Sequence, residues 1–596
     1  MLKYYVLIAL LVGLVGAGTS CIVIKRKHQR GASLADYQKI AKSFNNDISS
    51  PVFETSPMEI KLHVNDLLMN VNADLEKIAK LEKENITFQN SLLEMEEARD
   101  KMHDLQNRIS FLMNVSPQKS VRDMAKKKVG KMEDWFVKVQ YREDLYRVIS
   151  SLADKSDSLS LDDKNLLDRY MLVYKRAGFQ LSKEKRKKVE KLRRELTEIT
   201  NKFKTNIREY DKLVYLSLSD VEGVPPDQLE ELERTKDGEK FIIKPNIDHE
   251  VKIIIKNAKK ESVRKLVAKA RRNVAKKANT KLLAQIVKIR SELSALLRYE
   301  TWGDYQAEIK MAQNAQTSLN FLNELSQELE PKFRSELAEL RELKVRETGD
   351  KDAQICSWDV SYFKKILNRE KYDLHLDKMR VFFPYEHVLN GMFDIFEHLF
   401  GIRINKLKDP YTWVPEVELY AITDKTTSEP LGLFYLDMFP RAGKYEHFAT
   451  FTLVEGRREK NKLCRRPVSA LVGNFPKPLK HRPSLLTYSH VETLFHEFGH
   501  ILHVLLSQAK YSTFSGTNVP RDFVEVPSQM LECWLEDEKV LGLLASHYKD
   551  PTQKIPEDFL KKFKMVRKAH TGTFYRGQIA FAMLDLKLHT EINKKS

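Results

Sequence analysis

His496, Glu497 and His500 lie in the segment SHVETLFHEFGHILHVLLS, residues 489–507. Four residues separate the two histidines, which on a helix places them about 40° apart around the axis and one turn apart along it. Their imidazoles then face one point, where a divalent ion fits. Glu497, beside the first histidine, can reach a water bound to that ion and accept its proton, which is the chemistry of metal-assisted hydrolysis. A purely structural role is disfavoured. Two imidazoles among Phe495, Phe498, Ile501, Leu502 and Leu505 need polar partners, because burying an unpartnered polar group is costly.

His-Glu-x-x-His on a helix is the pattern of zinc peptidases. A catalytic zinc site takes three protein ligands and keeps one position open for water, so one Zn2+ per chain is expected, with a third ligand downstream. Glu525, in DFVEVPSQMLECW, follows His500 by 25 residues, and Pro527 suits the first turn of a helix there. Asp522 and Glu532 are its rivals by proximity. Glu532 would share the helical face of Glu525 at seven residues and could instead hold a ligand from behind. His503 shares the face of His496 but sits about 10 Å further along the axis, so it is read as support or packing.

These groups must be placed by secondary structure. Ser489 and Glu492 form a Ser-x-x-Glu signature that opens a helix before an apolar run. Upstream, ELYAITD from Glu418 and LGLFYLDMF from Leu431, joined through Ser428, Glu429 and Pro430, read as two strands, and Val468–Phe475 as a third. A small sheet therefore precedes the histidine helix, and residues 432–438 are expected to offer an edge to a peptide backbone. Between residues 36 and 310 apolar residues recur at helical steps, as in Leu67, Leu68, Val71, Leu75, Ile78 and Leu81. The basic stretches 182–212 and 252–277 are read as solvated helix faces, and no nucleic-acid partner is expected.

The 596 residues contain only 21 Gly and 20 Pro, with 42% hydrophobic and 31% charged residues and a net charge of +18. This composition excludes a disordered, collagenous or polytopic membrane chain and favours a mostly helical protein. Cys21, Cys356, Cys464 and Cys533 are too scattered for a disulfide framework or a structural zinc module. Residues 4–24 are uncharged and long enough to span a bilayer. With Lys25, Arg26, Lys27 and Arg30 behind them, residues 1–30 are expected to form a single-pass anchor with the body in the cytosol. The alternatives are a signal peptide cleaved near Gly18, Thr19 and Ser20, or organellar (mitochondrial) targeting. The expected division is this anchor, a helical region over 36–330 and a metallopeptidase region over 331–596.

Beyond the zinc motif, the chain carries GLFYLDMFPRAGKYEH from Gly432, NFPKP from Asn474, RPSLL from Arg482, VETLFHEFGHILH from Val491 and FSGTNVPRDFVEVPSQMLE from Phe514. In these segments it closely resembles the thimet oligopeptidase and neurolysin family of zinc metallopeptidases. The resemblance implies His496, His500 and Glu525 as zinc ligands and Glu497 as general base. It further implies a mostly α, two-domain helical ellipsoid with a deep central channel and a small β-sheet beside the zinc helix. Short peptides are the expected partners, cleaved internally, and the chain is expected to act as a monomer, with the membrane contacted through its N-terminal segment. The family pattern continues past QIAFAMLDLKLHTEINKKS into a Gly- and Tyr-rich loop, for which Tyr511, Tyr548 and Tyr575 do not substitute. The alternative expectation is therefore a catalytically impaired member that binds zinc and peptides.

Overall fold

Apolar residues spaced three and four apart make most of the chain helical. The computed structural model describes residues 32–154, 156–372, 376–458 and 463–591. Ser56 caps helix α1 (Pro57–Ala79) by accepting from Glu59 N at 3.2 Å, and Pro57 needs no hydrogen bond in the first turn. Ile60, Val64, Leu68, Val71, Leu75 and Ile78 form its buried stripe. Helices α2 (Leu92–Val115) and α3 (Lys119–Gln140) pack with it, and α4 (Leu161–Ala177) follows. In α5 (Lys183–Arg208) only Val189 and Leu192 are buried, and most of its basic side chains are exposed, matching the expected solvated face.

The largest sheet among the described residues has five strands: β1 (Ile402–Lys406), β2 (Glu418–Asp424), β3 (Pro430–Asp437), β4 (Ala449–Val454) and β5 (Val468–Val472), in the order β1-β2-β3-β5-β4. The β3–β5 pair is parallel, with Leu433 opposite Val468 and Asp437 opposite Val472; the other pairs are antiparallel. Side chains alternate across a strand, so the sheet serves two cores. Leu419, Ala421, Leu433, Tyr435, Val468 and Ala470 pack with α1, α2 and α3. Tyr420, Ile422, Phe434, Leu436 and Leu471 face the opposite core, against helices α7 (Tyr385–Phe400) and α8 (Tyr488–Leu505). There Phe396 and Phe498 stack at 5.5 Å and Phe393 lies 5.4 Å from Phe498. Burial of each such ring contributes roughly 1.5–3 kcal/mol. Between α5 and α7, the 34-residue helix α6 (Ala315–Thr348) runs unbroken through residues 330 and 331.

Three expectations change. Residues 432–438 do not form an edge, because β3 is paired on both sides, by β2 and β5; β1 and β4 are the terminal strands. Helix α8 is capped by Thr487, not Ser489: Thr487 Oγ1 accepts from His490 N at 3.1 Å, and His490 Nδ1 accepts from Thr487 N at 3.4 Å. The membrane span and membrane localisation are also corrected. Residues 4–24, on which they rested, lie outside the described residues, and among the described residues no helix is long and apolar enough to cross a membrane. The described helices interleave charged residues with narrow apolar stripes, which suits burial against protein and not against lipid on all sides.

Candidate active site

Helix α8 buries Val491, Leu494, Phe495, Phe498 and Leu502 and turns His496 and His500 to a side where their side chains are 23% and 13% exposed. Gly499, between them, allows helix α9 (Glu525–Glu532) to cross closely: a Cβ there would stand 2.7 Å from Ser528 Cα. The crossing brings Glu525 Oε2 to 3.2 Å from His496 Nε2 and 3.1 Å from His500 Nε2. One ligand atom from each residue lies within 4.8 Å of the others, the one such group among the described residues. At zinc–ligand lengths near 2.0–2.2 Å, two ligands of a tetrahedral site stand about 3.3 Å apart, so this donor set fits the ion.

Their other contacts distinguish the three carboxylates. Glu532 Oε1 lies 2.6 Å from His496 Nδ1, on the far side of the ring from Nε2. Asp522 is engaged elsewhere, accepting from Met311 N at 3.0 Å and Ala312 N at 3.3 Å. The Ser528 hydroxyl lies 2.9 Å from Glu525 O and 3.0 Å from Glu525 Oε2 and donates to one of them at a time. His503 packs against Phe523 at 6.4 Å between rings and does not join the group. Tyr511 donates to Asp163 and is thereby tied to α4, and Tyr575 is exposed.

Glu497 is 9% exposed. The Thr450 hydroxyl, on β4, lies 2.9 Å from its backbone oxygen and 3.0 Å from its Oε2, and donates to one of them at a time. Burial pushes the Glu497 carboxyl above the usual range, against the pull of Thr450 and His496; a carboxylate so raised is a stronger base. The Glu532 hydrogen bond raises His496, whereas burial lowers His500 and favours its neutral, lone-pair-bearing form. Thr450 and Ser528 carried no sequence signal, since their role depends on packing between distant segments. Gly499 stood inside the motif, and only the helix crossing shows why it is small.

A helical histidine pair, a carboxylate from the next helix and a buried glutamate beside them are the kinds of group that metal-assisted hydrolysis uses. Residues 254–596 match peptidase family M3, and the chain belongs to that family. It is 30% identical over 554 residues to the thimet-like oligopeptidase of Dictyostelium discoideum, covering 90% of this chain and 82% of that protein. It is likewise 30% identical over 560 residues to saccharolysin of Saccharomyces cerevisiae, covering 91% and 78%. A third relative, the organellar oligopeptidase A (chloroplastic/mitochondrial) of Arabidopsis thaliana, is 25% identical over 571 residues, covering 91% and 71%.

Proposed function

We propose that the chain is a zinc-dependent endopeptidase hydrolysing short peptides, with one Zn2+ held by His496, His500 and Glu525 and with Glu497 as general base. The convergence of two Nε2 atoms and Glu525 Oε2 carries this reading. In such a site bound zinc supplies Lewis acidity toward the scissile carbonyl and toward water. Glu497 takes the proton from the attacking water and returns it to the departing amine nitrogen. Thr450 aims the Glu497 carboxylate, and Glu532 holds His496 in the tautomer that carries its proton on Nδ1 and leaves Nε2 free to bind. The functional division follows the same lines: residues 331–596 carry the site, and helices within 36–330 cover the outer face of its sheet.

The test uses the purified full chain, its zinc content measured beside its hydrolysis of an internally quenched short peptide. Chelation should abolish hydrolysis and added zinc should restore it. Stoichiometric zinc without hydrolysis would replace this reading with the impaired zinc- and peptide-binding one, and failure to bind zinc would remove both.

A further inference from the structure

A second charged cluster lies beneath α2, outside the metal centre. Glu96, Asp100 and Glu455 are buried to 4% exposure or less. All three hold the segment between α8 and α9. The Ser512 hydroxyl donates to Asp100. Thr513 N donates to Glu96 Oε1 at 3.3 Å, and Asn518 hydrogen-bonds Glu455 while donating to Ser512 O at 2.9 Å. Four residues beyond Asn518, Asp522 is tied to Met311 and Ala312, and Glu525 follows.

The charges facing this cluster come from several elements. On α2, Arg99 lies 3.5 Å from Glu96 and 3.4 Å from Asp100, and Asp104 adds a fourth carboxyl. Following β4, Arg457 lies 3.4 Å from Asp100 and 3.0 Å from Asp104, and Arg465 lies 2.6 Å from Asp104. From α4, the Tyr170 hydroxyl donates to Glu96 at 2.8 Å. Arg169 on α4 is exposed and forms no ion pair with these carboxyls among the described residues. His103, 3.9 Å from Glu455, is held neutral by burial, which lowers it to about 4. Four carboxyls thus face three paired guanidinium groups, an excess of one buried negative charge. A buried charge without a partner is neutralised by taking up a proton.

We propose that Asp100 and Glu455 share one proton and, together with Glu96, act as a latch that holds residues 511–518 and so positions the limb carrying Glu525. Its effect on the metal centre rests on the reading of Glu525 as a ligand; the latch itself does not. Burial first, and neighbouring acids second, raise both Asp100 and Glu455 above the ordinary carboxyl range, Glu455 to about 8. A carboxyl raised in the closed state favours closure at low pH, and that preference is lost as pH rises from the ordinary carboxyl range to about 8. The same rise in pH strengthens binding by histidine ligands, because it deprotonates them. Loosening at high pH is therefore opposite in sign to ordinary ligand titration.

Hydrogen exchange of the full chain, read on residues 511–518 from pH 5 to 9 and corrected for intrinsic rates, tests the latch. Protection should fall by up to about tenfold per pH unit toward pH 8 and then level off. Glu455→Gln, neutral at every pH, should hold protection to pH 9, and Asp100→Asn should do so if the first variant fails to fold. Flat protection in the parent chain, or an unchanged fall in a folded variant, overturns the latch. Zinc release to a chelator at pH 8.5 should be several-fold slower in Glu455→Gln than in the parent; equal rates overturn the positioning role. A chain that binds no zinc defeats the proposed function alone, because exchange still reads the latch.

Discussion

The proposed metal centre and the cluster beneath α2 both gather carboxylates around histidine, yet the structure gives them opposite characters. At His496, His500 and Glu525, two imidazole nitrogens and one carboxylate oxygen converge on one point. At Glu96, Asp100 and Glu455, guanidinium, hydroxyl and amide donors meet the carboxylates, as in the Arg99, Ser512 and Asn518 contacts. A guanidinium occupies the place a metal would take and stays charged at any ordinary pH. The number of acids therefore does not by itself make a metal site; on the proposed reading, the convergence of lone pairs on one point does. On the proposed readings, the first cluster serves chemistry and the second fastening.

The largest expected effect tests that contrast directly. His500→Ala should remove stoichiometric zinc and reduce peptide hydrolysis to background, while His103→Ala, in the fastening cluster, should leave metal content unchanged. Elemental analysis of the two purified variants decides, and zinc retained by His500→Ala would break the comparison.

Within the metal centre, Glu497→Gln should keep zinc and fold but lower peptide turnover by at least about 10², the lower end of what general acid–base catalysis contributes. Equal turnover in parent and variant would exclude Glu497 as the base. Glu532→Gln, which weakens the support behind His496 without removing a ligand, should loosen zinc by about 10- to 100-fold in chelator competition. If Glu532→Gln abolishes binding while Glu525→Ala does not, the two carboxylates exchange roles.

The smallest effect concerns the helix crossing. A methyl at Gly499 must displace Ser528 backbone, so Gly499→Ala should cost about 1–3 kcal/mol in unfolding experiments, with a modest fall in zinc affinity as α9 moves. An unchanged melting temperature would show that the α8–α9 contact yields freely.

Much of this arrangement was legible before any coordinates. The three central strands read at 418–424, near 431–439 and from 468 appear as β2, β3 and β5, because alternating apolar residues flanked by turn signals specify strands locally. The stripe from Leu68 to Ile78 is buried as its spacing implies. Strand neighbours were not legible: β5 inserts between β3 and β4, so the expected edge became an interior strand. The cap at Thr487 was missed because histidine can replace Glu as the reciprocal partner, which the Ser-x-x-Glu pattern does not anticipate.

By itself the sequence determined that two histidines would share one helical face with a glutamate beside them, since a four-residue separation has one geometric outcome on a helix. It also offered Glu525, with Asp522 and Glu532 as rivals, for a third ligand. Tertiary structure alone set their directions, sending Glu525 toward both Nε2 atoms, Glu532 behind His496, and Asp522 to the backbone at 311 and 312. The reason is physical: helical periodicity acts over one or two turns, whereas the direction of a carboxylate beyond the next loop depends on how closely two helices cross. Here that distance depends on the missing side chain of Gly499 and on contacts from segments hundreds of residues away.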